Sequence, residues 1–328
     1  MAVAWSEGAT ATERHRCHMP WDPPMFLDPV RRQDAFDEPA RWQSPTWPGW
    51  YRPMTAVVAQ SPAVVSVARA LSDWHHLATE HIRRLTGMHP SVVSRTLDTL
   101  RRARVVERAW IDKPEPPVGF IWRFGPAAEK WRAGLPKDVA AAVTQTAHIS
   151  RRRGAARHDL CAAALGLALS EHPLVSSVGP EWDSRAEVFL PSTTSGARGD
   201  LVVRLADGTA VVVEITADVA SAATKALRWG KFVQDLPRED TFGVVFLNAT
   251  SRVPVRYLRR GIERALSFEG MGSLTEGLAP PWTVSQARER IFVANWTDWV
   301  DDNGCLSPDL PARRLTDEDV WEEGAFAP

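Results

Sequence analysis

The chain has 328 residues, of which 44% are hydrophobic and 24% charged, and its formal net charge is −1 at pH 7. This length predicts two or three domains. No apolar run approaches the roughly 18 residues of a membrane span, and no signal peptide is visible at the N-terminus. Three dispersed cysteines, Cys17, Cys161 and Cys305, form no zinc-binding spacing, which favours a reducing, cytoplasmic location.

The small net charge conceals an uneven distribution of charge along the chain. Residues 61–160 carry 17 Lys or Arg and 9 Asp or Glu, a net charge of +8, whereas residues 161–328 carry 16 and 24, a net charge of −8. Such asymmetry predicts a nucleic-acid-binding segment joined to a different module. The last 28 residues have a net charge of −6, and we expect either a solvated acidic tail or a tail that competes with DNA for the basic surface.

Composition and periodicity divide the chain into five segments. They are an irregular arm rich in Pro and Trp (1–60), a winged helix-turn-helix DNA-binding domain (61–135), a basic linker (136–157), an α/β domain (158–270) and a C-terminal extension with the acidic tail (271–328). The expected fold class is therefore α+β or α/β, with a winged helix preceding a mixed-sheet domain.

Residues 61–124 give the first run of helix and strand signals. Gly87 marks a tight turn between the second and third helices. The predicted elements are helices that begin at Pro62, at Thr79 and at Pro90, and strands over Val105–Ile111 and Phe120–Phe124. Three helices followed by a two-stranded hairpin is the order of a winged helix-turn-helix, in which the third helix would enter the major groove of duplex DNA.

Side chains on and around this third helix are the candidate DNA contacts. Short polar side chains at the helix N-terminus suit base edges and phosphates, and flanking arginines suit phosphates. The candidates are Ser91, Ser94, Arg95, Thr99, Arg101 and Arg102 on the helix, Arg83, Arg84, Arg104 and Arg108 beside it, and Lys113 at the tip of the wing. Two alternatives remain: a winged helix that contacts proteins, and a helical bundle whose arginines are simply solvated.

The segment after residue 157 predicts elements in the order α-β-β-β-α-β-α. They are a helix that Asp159 caps, strands Val175–Val178 and Ala186–Leu190, a hairpin between Gly199 and Thr216, a helix over Asp218–Phe232, a strand over Thr241–Leu247 and a basic helix over Val255–Phe268. This order predicts a central mixed sheet with helices on both faces.

The hairpin is the most informative stretch of the chain. Its turn contains Asp207-Gly208 between two β-branched runs. A two-residue loop would place Asp200 and Glu214 on opposite faces, whereas a three-residue loop with Gly208 in the left-handed region would place them directly across from each other. The second register leaves one face wholly apolar, and we favour it for that reason. Opposed carboxylates require a cation or a proton between them, although an ordinary hairpin with acids on its wet face is the alternative.

This segment resembles the restriction-endonuclease-like, or PD-(D/E)XK, fold. The resemblance implies that Asp200 and Glu214 are catalytic metal ligands, that the backbone carbonyl of Ile215 is a third ligand, and that the cofactor is Mg²⁺ if the site is active. Thr216 stands where the family has lysine, and a neutral hydroxyl cannot stabilise a developing phosphorane charge. Lys225 is the candidate replacement; alternatively it lies on a solvated helix face.

Two residues on the preceding helix, Asp159 and Glu171, are candidates for an additional acid in this site.

The order of a winged helix, an Arg-His-Asp-Leu helix (157–160) and an acidic hairpin that ends Val-Glu-Ile-Thr (213–216) is similar to the plasmid replication-relaxation family of actinobacterial and related mobile elements. This resemblance covers about residues 61 to 265.

The resemblance implies a DNA-binding protein of plasmid or chromosome replication and maintenance, in which the nuclease-like domain has weak or no activity. One alternative is a DNA endonuclease that uses Mg²⁺ or Mn²⁺ with Asp200, Glu214 and Lys225. A second is a transcriptional regulator. The expected partner is double-stranded DNA in the cytoplasm, with replication or mobilisation proteins and a second copy of the chain as further candidates, and with no membrane partner.

Overall fold

A computed structural model describes the main chain of most of the sequence. The described residues are 60–110, 120–149, 155–237, 241–250, 253–267, 282–301 and 305–315. They form a mixed α and β protein that divides between Leu167 and Ala168 into an N-terminal and a C-terminal compact unit. None of the described helices combines the length and the apolar character that crossing a membrane would require.

The N-terminal unit contains six helices and three strands among its described residues. They are α1 (Pro62–Trp74), β1 (Leu77–Ala78), α2 (Thr79–Thr86), α3 (Pro90–Arg102), β2 (Val106–Trp110), β3 (Phe120–Phe124), α4 (Ala128–Trp131), α5 (Lys137–Ile149) and α6 (Ala155–Ser170), of which α6 runs past the division. The three strands pair antiparallel in the order β1-β3-β2. Residues 111–119 between β2 and β3, including Lys113, lie outside the described residues.

Local signals explain how the helices of this unit begin and end. Pro62 and Pro90 occupy the first turns of α1 and α3, where a missing N–H costs nothing. Gly87 ends α2 in the left-handed region at φ 64°, as its turn position predicted. The side chain of His89 caps α3 by accepting from the main-chain N–H of Ser91. Ser61 precedes α1, but its side chain makes no capping hydrogen bond.

Helix α5 occupies most of the segment that we expected to be a basic linker. It packs on α1 through the buried side chains of Val139 and Val143, and Thr146 donates a hydrogen bond of 2.9 Å to the carbonyl of Ser72. Helix α6 differs from the expected helix in a second respect. Asp159 lies inside it and not at its cap, because the helix is already formed at Ala155.

The C-terminal unit is built around a six-stranded sheet. Its elements are β4 (Val175–Pro180), α7 (Ala186–Phe189), β5 (Leu201–Leu205), β6 (Ala210–Thr216), α8 (Val219–Asp235), β7 (Phe242–Asn248), α9 (Val255–Ala265), α10 (Trp282–Arg290), β8 (Ile291–Asn295), α11 (Trp296–Trp299) and β9 (Arg313–Arg314). The strands follow the order β4-β5-β6-β7-β8-β9, in which β6, β7 and β8 are parallel and the other neighbours antiparallel.

The hairpin of β5 and β6 has the register of the three-residue loop. Leu201 pairs with Val213, so the preceding residue, Asp200, lies across from Glu214. Gly208 has φ 88°, and the Leu205 N–H donates to the carbonyl of residue 209 at 2.9 Å. Every residue of β6 is buried, so the alternative of a hairpin with its acids on a wet face does not hold for Glu214, although Arg204 of β5 is exposed.

Burial of this second face follows from the helices that cover it. Val202, Val212 and Phe246 on the sheet share one apolar cluster with Trp229 and Phe232 of α8. The cluster also contains buried residues of α9 and α10, among them Leu258, Ile262 and Ala287. The side of the hairpin that carries Glu214 is therefore a protein interior and not a solvated surface.

Two other expectations for this unit fail. Ala186–Leu190 was expected to be a strand, but Ala186–Phe189 forms the short helix α7. The sheet also extends beyond residue 270, because β8 pairs with β7 and β9 pairs with β8. The other elements match, and the helix over Val219–Asp235 is capped by Asp218, whose carboxylate accepts the Ser221 N–H at 2.7 Å.

Candidate functional site

Three charged side chains of the C-terminal unit converge at one end of the β5–β6 hairpin. Asp200 stands just before β5, Glu214 lies in β6, and Lys225 projects from α8. The Lys225 ammonium forms an ion pair with Oε2 of Glu214, and its Nζ lies 3.7 Å from Oδ1 of Asp200. Lys225 therefore reaches the two acids and does not lie on a solvated helix face, which was the alternative that the sequence left open.

The remaining carboxylate oxygens of these acids have their own donors. The indole Nε1 of Trp229, four residues after Lys225 on the same helix face, donates to Oε1 of Glu214 at 2.7 Å. The main-chain N–H of Ile215 donates to Oδ2 of Asp200 at 2.6 Å. The strand register and the helix pitch thus fix both carboxylates in orientation, and one ammonium lies between them.

Burial dominates the electrostatics of this cluster. The Glu214 side chain is inaccessible to solvent, whereas that of Lys225 retains 28% exposure. Burial, with the like charge of Asp200, raises the pKa of Glu214 to about 7, although Lys225 opposes the shift. Burial alone would lower the pKa of Lys225, but the two carboxylates outweigh it and hold that pKa above its ordinary value. The lysine therefore stays charged while Glu214 titrates near neutrality.

The cluster opens into a cleft of about 480 Å³. This volume is in the range that accommodates small ligands. Besides the three charged residues, the lining residues include Glu181, Trp182, Arg185, Gly196, Arg198, Arg228 and Trp229. The lining therefore mixes four acids with four cations: Glu181, Glu187, Asp200 and Glu214 with Arg185, Arg198, Lys225 and Arg228.

The donor set of Asp200 and Glu214 is suited to Mg²⁺, because hard divalent cations prefer carboxylate oxygens. Within the part of the chain that the structure describes, no group of three or more His, Cys, Asp or Glu side chains is arranged around a metal position. Ile215 meets the site through its N–H, which donates to Asp200. The two acids would therefore accept the ion only if the Lys225 ammonium moved from between them.

Two further acids line this cleft, Glu181 and Glu187, and the sequence reasoning missed both. Pro180 at the end of β4 pairs with Leu201, so Glu181 follows next to Asp200. Asp159 instead belongs to the N-terminal unit, and Glu171 is exposed and not among the lining residues. The strand signal at 175–178 was present in the sequence, but only its antiparallel pairing with β5, which the sequence did not reveal, brings residue 181 to Asp200.

Asp159 has a structural partner of its own. Its Oδ2 lies 2.7 Å from Nδ1 of the buried His76, and His158 approaches its other oxygen at 3.5 Å. Burial alone would raise the pKa of Asp159, but the hydrogen bonds from the two histidines outweigh it and hold that pKa well below its usual range. This carboxylate stabilises the N-terminal unit.

The candidate DNA contacts of α3 divide into exposed and partnered side chains. Exposed on the helix are Ser91, Ser94, Arg95, Thr99 and Arg102. Arg101 is only 11% exposed and lies 3.3 Å from Asp98, which also holds Arg102 at 2.6 Å. The exposed residues recur at helical spacing, and the α3 surface therefore presents short polar side chains with Arg95 and Arg102.

The flanking arginines also differ in exposure and partners. Arg104, directly after α3, is exposed and has φ 57°. Arg83 donates through Nε to Glu80 at 2.7 Å, and Arg84 is half-buried. The Arg108 guanidinium lies over the Phe120 ring at 4.0 Å, and burial lowers its pKa. Arg104 is thus the most exposed of the four flanking arginines.

Thr216 stands where the resembled fold has lysine, and its hydroxyl makes a local structural hydrogen bond. It is buried, and its Oγ1 donates to the carbonyl of Asp218 at 3.1 Å.

Comparisons with protein-family models, with curated proteins and with solved structures find no match for this chain.

Proposed function

We propose that this chain is a DNA-binding protein of plasmid, mobile-element or chromosome maintenance, whose N-terminal unit is a winged helix. The observation that carries the proposal is the exposed surface of α3, with Arg95, Arg102 and short polar side chains along one face. The proposal places this helix in the major groove and Arg104 at a phosphate. It also places the protein in the cytoplasm with its DNA.

The net charge of this part of the chain supports the proposal. Residues 61–160 carry a net charge of +8, which attracts a polyanion over distances longer than single contacts. The ion pair of Arg102 with Asp98 is not an obstacle, because both side chains are exposed and such pairs contribute little free energy in water. The guanidinium can exchange the carboxylate for a phosphate.

Duplex binding of the full chain tests this function. Arg95→Ala and Arg102→Ala should each weaken the binding of a 30-base-pair duplex roughly threefold or more at low salt, because each removes a phosphate or base contact. Lys130→Ala is the matched control, since Lys130 is an exposed cation of the same unit outside α3. Equal affinity of all three variants and the wild type would exclude α3 as the reading helix.

A second function, a Mg²⁺- or Mn²⁺-dependent DNA endonuclease, is favoured by the position of Lys225. We propose that the C-terminal unit is related to the PD-(D/E)XK fold and that Asp200 and Glu214 hold the ion. When bound, the ion would supply Lewis acidity and an activated water. Lys225 would contribute the positive charge that Thr216 cannot, and Trp229 would fix the orientation of Glu214.

Plasmid nicking tests this second function. Wild-type protein and Mg²⁺ or Mn²⁺ should convert supercoiled DNA to the open-circular form, whereas Asp200→Asn and Lys225→Met should reduce the rate at least 100-fold, as expected for groups that act in the transition state. Glu171→Gln is the control, because Glu171 is an exposed acid of the same unit outside the cleft. Equal nicking by wild type and Asp200→Asn would identify a contaminating nuclease.

A further inference from the structure

Two arginines face each other in the wall of the cleft. Arg185 and Arg198 form an isolated antiparallel bridge, so their side chains start from directly opposed main-chain positions. Both line the cleft that also contains Asp200 and Glu214. Like charges at opposed positions are unfavourable. The carboxylates of Glu181 and Glu187 offset part of this repulsion, and a ligand anion would offset more of it.

Arg185 has a buried hydrogen-bond donor that lacks an acceptor among the described residues. Its guanidinium stacks on the Trp182 ring, 3.8 Å from the centroid, and the buried donor is its Nε. Burial and the charge of Arg198 lower the pKa of Arg185, although the carboxylates of Glu181 and Glu187 oppose the shift. A buried donor without an acceptor costs free energy, and a rotation of the guanidinium that brings Nε to a ligand oxygen in the cleft would supply the acceptor.

The partner of Arg198 leaves part of its guanidinium available. Its Nε lies 2.7 Å from Oε1 of Glu181, and the side chain is 45% exposed. The chain holds Arg198 close to the acids because the next residue, Gly199, packs tightly on β6. A Cβ at Gly199 would lie 2.1 Å from a methyl group of Val212.

We propose that Arg185 and Arg198 form a phosphate subsite that holds a phosphodiester of a nucleic-acid strand beside the Asp200–Glu214–Lys225 cluster. Guanidinium groups bind phosphate oxygens with two parallel N–H donors. The cleft of about 480 Å³ is much larger than a free phosphate ion needs and suits a nucleotide unit. This inference rests on the proposed nucleic-acid function and assigns the side of the cleft along which the strand lies.

Binding of fluorescein-labelled tetrathymidylate to the full chain tests the subsite. The measurement is fluorescence anisotropy at low salt with EDTA, so that no cleavage step contributes. Arg185→Gln and Arg198→Gln should each raise the Kd at least tenfold, because each removes a charged hydrogen bond. Arg204→Gln should stay within twofold of wild type, since Arg204 is an exposed arginine of β5 outside the cleft.

Two further arms identify the group that is bound. Replacing the central linkage by an uncharged methylphosphonate should weaken binding to wild type but not to Arg185→Gln. Inorganic phosphate should compete only at concentrations at least tenfold above those of unlabelled tetrathymidylate. If Arg185→Gln does not fold, as judged by near-ultraviolet circular dichroism, the more exposed Arg198 carries the test.

Equal Kd values for wild type and both glutamine variants would overturn the subsite, and so would competition by inorganic phosphate at the concentration of the oligonucleotide. The outcome of this binding test can be distinguished from the outcomes of the duplex-binding and nicking tests of the proposed functions. Loss of affinity in Arg185→Gln without nicking by the wild type supports the subsite and rejects the endonuclease. Nicking, or duplex binding through α3, with no effect of Arg185→Gln or Arg198→Gln rejects the subsite alone.

Discussion

Glu214→Gln should remove a pH-dependent contribution to the stability of the C-terminal unit. Glu214 is fully buried beside Asp200 and Lys225, and its pKa in the folded protein is about 7 against an ordinary value of 4.5. Between these values the folded state retains a proton that the unfolded state releases, so the contribution of Glu214 falls as the pH rises through this window. At roughly 1.4 kcal/mol per pKa unit, the difference corresponds to about 3 kcal/mol.

The assay is urea unfolding of wild type and Glu214→Gln at pH values from 4.5 to 8.5, followed by circular dichroism. The free energy of unfolding of wild type minus that of the variant should decrease by about 3 kcal/mol between pH 4.5 and 7 and then level off. Asp207→Asn, at the exposed hairpin turn, is the matched control and should show no such trend. A difference that stays constant, or increases with pH, would refute the reasoning, because Lys225 would then dominate the environment of Glu214.

Three further predictions concern Gly199, Asp159 and the binding of Mg²⁺. Gly199→Ala should lower the free energy of unfolding by about 1–3 kcal/mol in urea titrations, because its Cβ would overlap Val212; unchanged stability would contradict this packing. Asp159→Asn should cost about 1–3 kcal/mol at pH 7 through its bond to His76. That cost should shrink progressively as the pH falls from about 4 towards the lowered pKa of Asp159, because the folded state then gains less from keeping the carboxylate ionised. A cost independent of pH would contradict this reasoning. Mg²⁺ at tenfold its Kd should stabilise wild type by about 1.4 kcal/mol in thermal melts but not Asp200→Asn, and equal stabilisation would place the ion elsewhere.

Local signals in the sequence were sufficient for the hairpin and for the three helices and two strands expected over residues 61–124, but not for α5, which lies where we expected a linker. The left-handed position of Gly208 and the strict alternation of side chains select one register, because a shift of one residue would move the apolar set to the other face. Pro62, Pro90 and Gly87 fix helix ends through main-chain geometry that depends on neighbouring residues alone.

Features that depend on distant contacts were not predictable in the same way. The second face of the hairpin is buried because α8 covers it, and alternation within a strand carries no information about such a helix. Val202 and Val212 on that face were nevertheless a sign that it is apolar. The C-terminal strands β8 and β9 are short and pair with partners far along the chain, so their local patterns are weak.

The position of Lys225 depends partly on local sequence and partly on distant contacts. Helical spacing puts it on the same face as Trp229 and next to Ala222 and Ala226, which are buried. This spacing allowed either contact with Glu214 or a solvated position. The packing of helix α8 against the sheet places Lys225 in contact with Glu214. This packing joins a helix to strands, and the local pattern of neither element predicts it.

The salt dependence of duplex binding tests the central proposal most directly. Plots of log Kd against log salt concentration report the number of phosphates that the protein neutralises. For the combined variant Arg95→Ala/Arg102→Ala, the magnitude of the slope should decrease by about 2 relative to wild type, one for each lost contact. It should be unchanged for Lys130→Ala. A flat salt response of the wild type, or the same slope in all three proteins, would contradict DNA recognition through α3.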